Sequence, residues 1–147
     1  KKRIIYPMHP RTSSKLKTLS VPKCIEIIKP LGFFDFTKLE KNALCVITDS
    51  GTVPEETLYF GKPCVTIRDS TERPETIEAG SNILSGLNSE DIFQCVKQMT
   101  SIVPNWKWDL SLGDGKTASK VVNIVRGKLE RRIIEIWDLL GKKFIKI

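Results

Sequence analysis

Short apolar runs, each closed by a polar or proline-bearing turn and followed by residues with helical spacing, recur along the first hundred positions. Ile4-Ile5-Tyr6 ends at Pro7, and the polar stretch 11–17 behind it predicts a short helix with Thr12 or Ser13 as cap. Ile25-Glu26-Ile27-Ile28 is bounded by Pro30, and a helix is expected over 35–42 with Asp35 as its cap. Leu44-Cys45-Val46-Ile47-Thr48 is a continuous apolar run of the kind buried on both faces of a parallel sheet. A helix follows as far as Phe60, where Gly61 stops it. Cys64-Val65-Thr66-Ile67, a polar loop over 68–74, a short helix over 75–79, the strand Asn82-Ile83-Leu84-Ser85 and a helix over 89–100 complete the series. Strands alternating with helices over short connections imply right-handed βαβ crossovers, hence an α/β fold with a Rossmann-like, doubly wound parallel sheet.

The pattern changes after Pro104. Residues 105–114 carry two tryptophans and little periodicity, and Gly113-Asp114-Gly115 then precedes a long amphipathic stretch. Ala118, Val122, Val125, Leu129, Ile133, Ile136 and Leu140 recur at steps of three and four, which predicts a long C-terminal helical tail that Gly127 bends or divides. The apolar stripe faces a core or a partner, so self-association as a homodimer is one expectation for it.

A length of 147 residues suits one domain able to bury a core, and no apolar run approaches the roughly 20 residues of a membrane span. Lys1-Lys2-Arg3 before Ile4 imitates the start of a signal peptide, but Pro7 and Pro10 interrupt the apolar part at once, so the chain reads as entered mid-domain. Charge is uneven. Residues 1–29 hold eight basic and one acidic side chain, residues 30–115 seven and thirteen, and residues 116–147 nine and three. The basic ends lack an interleaved aromatic stripe or an RNA-binding signature, so solvated helix faces or an acidic partner surface are expected rather than nucleic acid or membrane. Cys24, Cys45, Cys64 and Cys95 have neither paired spacing nor a second histidine to join His9, which leaves reduced thiols packed as small hydrophobes in a cytoplasmic protein and argues against a metal site.

In doubly wound sheets ligands bind at the carboxyl ends of the strands, which is where the polar clusters after Tyr6, Ile28, Thr48 and Ile67 fall. Asp49-Ser50-Gly51-Thr52 joins a buried strand to a helix, so free backbone N–H groups and the helix dipole offer an anion site, with Gly51 allowing close approach and Ser50 and Thr52 adding hydroxyls. A helix cap alone explains the same residues. Neither a Walker lysine nor a three-glycine dinucleotide fingerprint is present, which argues against a nucleoside triphosphatase and against nicotinamide. Glu55 and Glu56 project about 100° apart in the first turn, so one of them is expected to reach a ligand's hydroxyls. Arg68 and Arg73 in the charged loop supply forked donors for a diphosphate, with Asp69 and Glu72 to orient them. His9, between Pro7 and Pro10, stands at a strand end in the same crevice.

With these residues laid out, the chain resembles the carboxyl-terminal, nucleotide-binding domain of the non-hydrolysing UDP-N-acetylglucosamine 2-epimerases, one half of a two-domain architecture of the B-type glycosyltransferase kind. The resemblance runs from Tyr6-Pro7-Met8-His9-Pro10 through Pro30-Leu31-Gly32 with Phe36, and through Thr48-Asp49-Ser50-Gly51-Thr52-Val53-Pro54-Glu55-Glu56 and Gly61-Lys62-Pro63. It continues over Arg68-Asp69-Ser70-Thr71-Glu72-Arg73-Pro74-Glu75 to Gly113-Asp114-Gly115 with Ala118-Ser119. The order and spacing of several motifs make it specific.

The resemblance implies that Ser50 and Gly51, with Thr52 beside them, hold the diphosphate of UDP, that Glu56 takes the ribose hydroxyls, and that Phe36 packs on uracil. Arg73 and Arg68 lie near the diphosphate, and His9 near the nucleotide-sugar. The implied reaction inverts carbon 2 of a UDP-linked N-acetylhexosamine by eliminating UDP and adding it back, without metal or nicotinamide cofactor. The carboxylates for proton transfer belong to an amino-terminal domain that is missing here, as is the first strand of this one, so the isolated chain is expected to be inactive. Pro54 replaces a glutamine common before the glutamate pair, and Thr52 stands where many members have glycine. Residues 1–126 are thus expected to be the UDP-binding domain and 127–147 a basic extension outside the resemblance. The alternative is a UDP-sugar-binding module of a glycosyltransferase-like protein without epimerase chemistry.

Overall fold

The computed structural model describes residues 2–16, 20–108 and 113–139. They form two compact units, Lys1–Lys107 and Trp108–Ile147. In the first, β1 (Ile4–Pro7), α1 (Pro10–Leu16), β2 (Ile25–Ile28), α2 (Phe33–Asn42), β3 (Val46–Thr48), α3 (Val53–Tyr59), β4 (Cys64–Thr66), α4 (Pro74–Glu78), β5 (Asn82–Leu84) and α5 (Ser89–Ser101) follow one another in the expected alternation. Pairing is parallel throughout these strands, in two sheets: β1 beside β2, and β3-β4-β5 in sequence order. Thr48 stands opposite Thr66, and Thr66 opposite Leu84, so the segments that leave β3, β4 and β5 emerge at one edge.

Local chemistry sets the element ends. The Gly61 backbone, at φ 64°, closes α3: its N–H donates to the Leu58 carbonyl at 3.0 Å, and the Lys62 N–H to the Thr57 carbonyl at 2.8 Å. The Asn88 side chain caps α5 by accepting from the Glu90 and Asp91 N–H groups. Two starts differ from expectation. α1 begins at Pro10, ahead of Thr12 and Ser13, because the His9 carbonyl accepts the N–H groups of both and proline suits a first turn that needs no donor. α2 begins at Phe33, after Gly32 in an extended conformation, so Asp35 lies inside the first turn rather than at the cap.

The core gathers around β4. Val53, Leu58, Cys64, Val65 and Met99 are buried, and so are the polar Thr57, Thr66, Thr76, Ser81, Asn82 and Ser85. Hydrogen bonds satisfy the polar set: Thr66 Oγ1 donates to Asn82 Oδ1 at 2.8 Å, Asn82 Nδ2 to Thr76 Oγ1 at 3.1 Å, and Thr76 Oγ1 to the Arg73 carbonyl at 2.9 Å. This chain runs from the middle of the sheet to the loop that follows β4, so the core itself anchors the backbone of Arg73.

The second unit contains α6 (Thr117–Leu139), one helix that passes through Gly127 without a break. Asp114 organises its start, accepting from the Lys116 N–H and the Lys120 ammonium, both at 2.9 Å. Val121, Val122, Ile124, Val125 and Leu129 are exposed on it, and Leu140, the last position of the predicted stripe, lies outside the described residues. Among the described residues no helix is long and apolar enough to cross a membrane.

Candidate functional site

The turn between β3 and α3 is held from within. The Ser50 N–H donates to Thr48 Oγ1 at 3.0 Å, the Thr52 N–H to Ser50 Oγ at 3.3 Å, and the two hydroxyls of Ser50 and Thr52 stand 3.3 Å apart. Thr52 precedes the helix without a side-chain cap, and Pro54 in the first turn has no N–H to offer. The Gly51 surface is covered by a carboxylate: a Cβ at this position would collide with Glu72 Oε1. Glu72 in turn accepts from Arg68 Nη1 at 3.2 Å, so the loop after β4 folds back over the turn after β3.

Arg73 is anchored by the same loop. Its Nε stands 3.1 Å from Glu55 Oε1 in an ion pair not aligned as a hydrogen bond, and its Nη1 donates to the Glu72 carbonyl at 3.4 Å. Residues 67–72 and Leu87 line an open depression of about 540 Å³ beside these groups. Ser50, Gly51, Thr52, Arg68 and Arg73 are therefore brought into one neighbourhood, with Glu72 and Glu55 as the carboxylates that hold the arginines.

Glu56 occupies the next position of α3 and is half-buried. Facing it is Glu40 of α2, only 3% exposed, with both carboxyl oxygens buried and no donor reaching either. Burial, then the negative charge of Glu56, then the approach of its carboxyl, which only a proton can bridge, push the Glu40 carboxyl up to about 7. Glu40 escaped the sequence reading. The signal that could have found it is its place one turn after Phe36 on the same face of α2, where a charged residue falls at a core position.

Phe36 lies half-buried on α2, its N–H donating to the Gly32 carbonyl at 3.0 Å. His9 is exposed after β1, and its Nδ1 accepts from the Arg11 N–H at 3.2 Å. His9 follows β1 and Phe36 follows β2, whereas the Ser50 turn and the arginine loop follow β3 and β4, and among the described residues no hydrogen bond links the two groups. Cys45 and Cys64 flank the β3–β4 pair. Burial, with a smaller push from Cys64, raises the Cys45 thiol to about 12, and burial outweighs the lowering by Thr57 and Thr66 to hold the Cys64 thiol up at about 11, as expected of packed rather than reactive cysteines.

A family model described as UDP-N-acetylglucosamine 2-epimerase matches residues 1–126. The chain belongs to this family. It is 44% identical over 133 residues to the UDP-N-acetylglucosamine 2-epimerase of Methanococcus maripaludis, covering 86% of this chain and 36% of that protein. The UDP-2,3-diacetamido-2,3-dideoxy-D-glucuronate 2-epimerase of Pseudomonas aeruginosa is 34% identical over 119 residues, covering 80% of this chain and 33% of that protein. Among solved structures, the Methanocaldococcus jannaschii UDP-GlcNAc 2-epimerase in complex with UDP-GlcNAc and UDP superposes with a TM-score of 0.76 at 44% identity, over 85% of this chain and 36% of that one. The chain spans about a third of the length of these relatives. The α/β class with parallel strands and the half of a B-type glycosyltransferase architecture agree with the epimerase neighbours.

Proposed function

We propose that this chain is the UDP-binding half of a UDP-N-acetylglucosamine 2-epimerase, which inverts carbon 2 of a UDP-linked N-acetylhexosamine by eliminating UDP and adding it back. The observation that carries the proposal is the meeting of the Ser50–Thr52 turn with the Arg68–Arg73 loop at the amino end of α3. A diphosphate entering there displaces the Glu72 carboxylate from Gly51, takes over the Arg68 guanidinium, and meets the positive end of the α3 dipole with the Ser50 and Thr52 hydroxyls as further donors. As the bond from sugar carbon 1 to oxygen breaks, negative charge grows on the departing diphosphate, and these fixed donors stabilise it. Glu56 accepts from the ribose hydroxyls, Phe36 packs on uracil, and His9 lies toward the sugar.

Proton transfer at carbon 2 falls to the amino-terminal domain, so the chain alone binds the nucleotide without turning it over. The sheet supports this reading of what is missing. In the doubly wound order 3-2-1-4-5-6 the first strand lies between the second and the fourth, and the division into β1-β2 and β3-β4-β5 is what that order leaves without it. Residues 1–126 form the UDP-binding domain of a cytoplasmic enzyme and 127–147 its basic extension, with α6 as the face for a second copy. The P. aeruginosa relative acts on a diacetamido sugar acid, so the sugar remains a class, the UDP-linked acetamido sugars.

Calorimetric titration with UDP, UDP-N-acetylglucosamine and ADP at two salt concentrations tests the proposal. Binding selective for the uridine ligands and only weakly dependent on salt is the expected result. Equal affinity for ADP would refute the site. Carbon 2 epimerisation by the full-length protein separates this reading from a glycosyltransferase-like binding module.

A further inference from the structure

Glu40 and Glu56 meet where α2 packs against α3. Two carboxylates offer only acceptors, so the buried oxygens of Glu40 find a partner in Glu56 only when one of the two groups holds a proton. Glu40 is the more deeply buried, and α3 presents no cation to it: Glu55 is engaged by Arg73, and Glu56 is the group that faces it. From β4 the only titratable neighbour is the Cys64 thiol, which stays neutral. Among the described residues no lysine or arginine forms an ion pair with Glu40.

We propose that Glu40 is a positioning residue: as the neutral acid it donates a hydrogen bond to one oxygen of the Glu56 carboxylate and leaves the other aimed at the ribose of the nucleotide. The inference rests on the reading that Glu56 takes the ribose. When Glu40 loses its proton, a second charge stands against Glu56 with no donor between them, Glu56 is pushed from its place, and affinity falls. Nucleotide binding by this chain is thereby coupled to a single buried proton, held about where cellular pH varies.

The experiment is a calorimetric titration of the chain with UDP-N-acetylglucosamine, whose bridged diphosphate has no proton to lose near neutrality, between about pH 5.5 and 8.5. Wild type is compared with Glu40→Gln, whose amide donates at every pH and which leaves His9 and all other titratable groups in place. Wild-type affinity is expected to fall on the order of tenfold relative to Glu40→Gln across this range. Glu40→Leu, which fills the space without donating, is expected to bind weakly at every pH.

A wild-type to Glu40→Gln ratio that stays constant with pH would overturn the proposal and leave the ribose role of Glu56 standing. Absence of binding by both at every pH would overturn the site reading on which it rests. Carbon-13 NMR of the Glu40 carboxyl needs no ligand and separates the two failures: a midpoint near 7 that drops in Glu56→Gln supports the shared proton, and an ordinary carboxyl midpoint refutes it.

Discussion

Stability against pH is where the buried carboxyl of Glu40 leaves its clearest mark. Its folded value of about 7 lies above the ordinary 4.5, so the folded chain holds a proton that the unfolded chain releases. Stability from this group is complete below pH 4.5 and is lost as pH rises through 7. The separation, about 7 minus 4.5, is about 2.5 pH units, which at about 1.4 kcal/mol each gives about 3.5 kcal/mol in all. About 2.5 kcal/mol of it disappears between pH 5 and 8. Glu40→Gln cannot titrate and escapes the loss. Urea unfolding of both proteins at several pH values is the assay, and with a slope of about 2 kcal/mol per molar the midpoint difference between them should widen by about 1 M from pH 5 to 8 in favour of the variant. Other titrating groups are common to both proteins and cancel. Midpoints that move in parallel would refute a buried carboxyl that keeps its proton at this position, whatever the chain binds.

Glu56→Ala and Arg73→Ala should each weaken UDP binding by about 1 to 3 kcal/mol in calorimetry, through the ribose and the phosphates respectively; wild-type affinity in both would remove the crevice. Gly51→Ala drives a methyl group into the Glu72 carboxylate and the phosphate approach, and should weaken UDP by about tenfold while the urea midpoint holds, because the clash is with the end of a flexible side chain. Asn82→Ala leaves the buried hydroxyls of Thr66 and Thr76 without their partner and should cost about 1 to 3 kcal/mol in urea; no change would mean that water substitutes for the amide. With a mild alkylating reagent followed by mass spectrometry, the half-buried Cys24 and Cys95 should be labelled well before Cys64 and Cys45, and early labelling of Cys64 would show that β4 opens.

The order of strands and helices was legible in the sequence because each depends on neighbours along the chain. A continuous apolar run such as 44–48 leaves little choice but a buried strand, and Gly61 stops a helix wherever that helix packs. Boundaries were less legible at α1 and α2, where proline and an extended glycine opened the helix ahead of the side chains expected to cap it. The turn after β3 and the arginine loop stood out by residue type and spacing, which is also how the epimerase family could be recognised in them.

Other features are decided in three dimensions. Glu55 and Glu56 are equivalent as letters, and only the loop after β4 assigns Glu55 to Arg73 while α2 presents Glu40 to Glu56. Glu72 reads as one charge among five, yet chain folding lays it against Gly51. The polar chain from Thr66 through Asn82 and Thr76 to Arg73 joins residues up to 16 positions apart, and Gly127 sits within an unbroken α6. Periodicity and propensity act over one or two turns and so determine the elements. Burial of a carboxyl, the choice between adjacent carboxylates and the partner of a buried amide depend on which elements pack together, and that is settled only when the chain closes on itself.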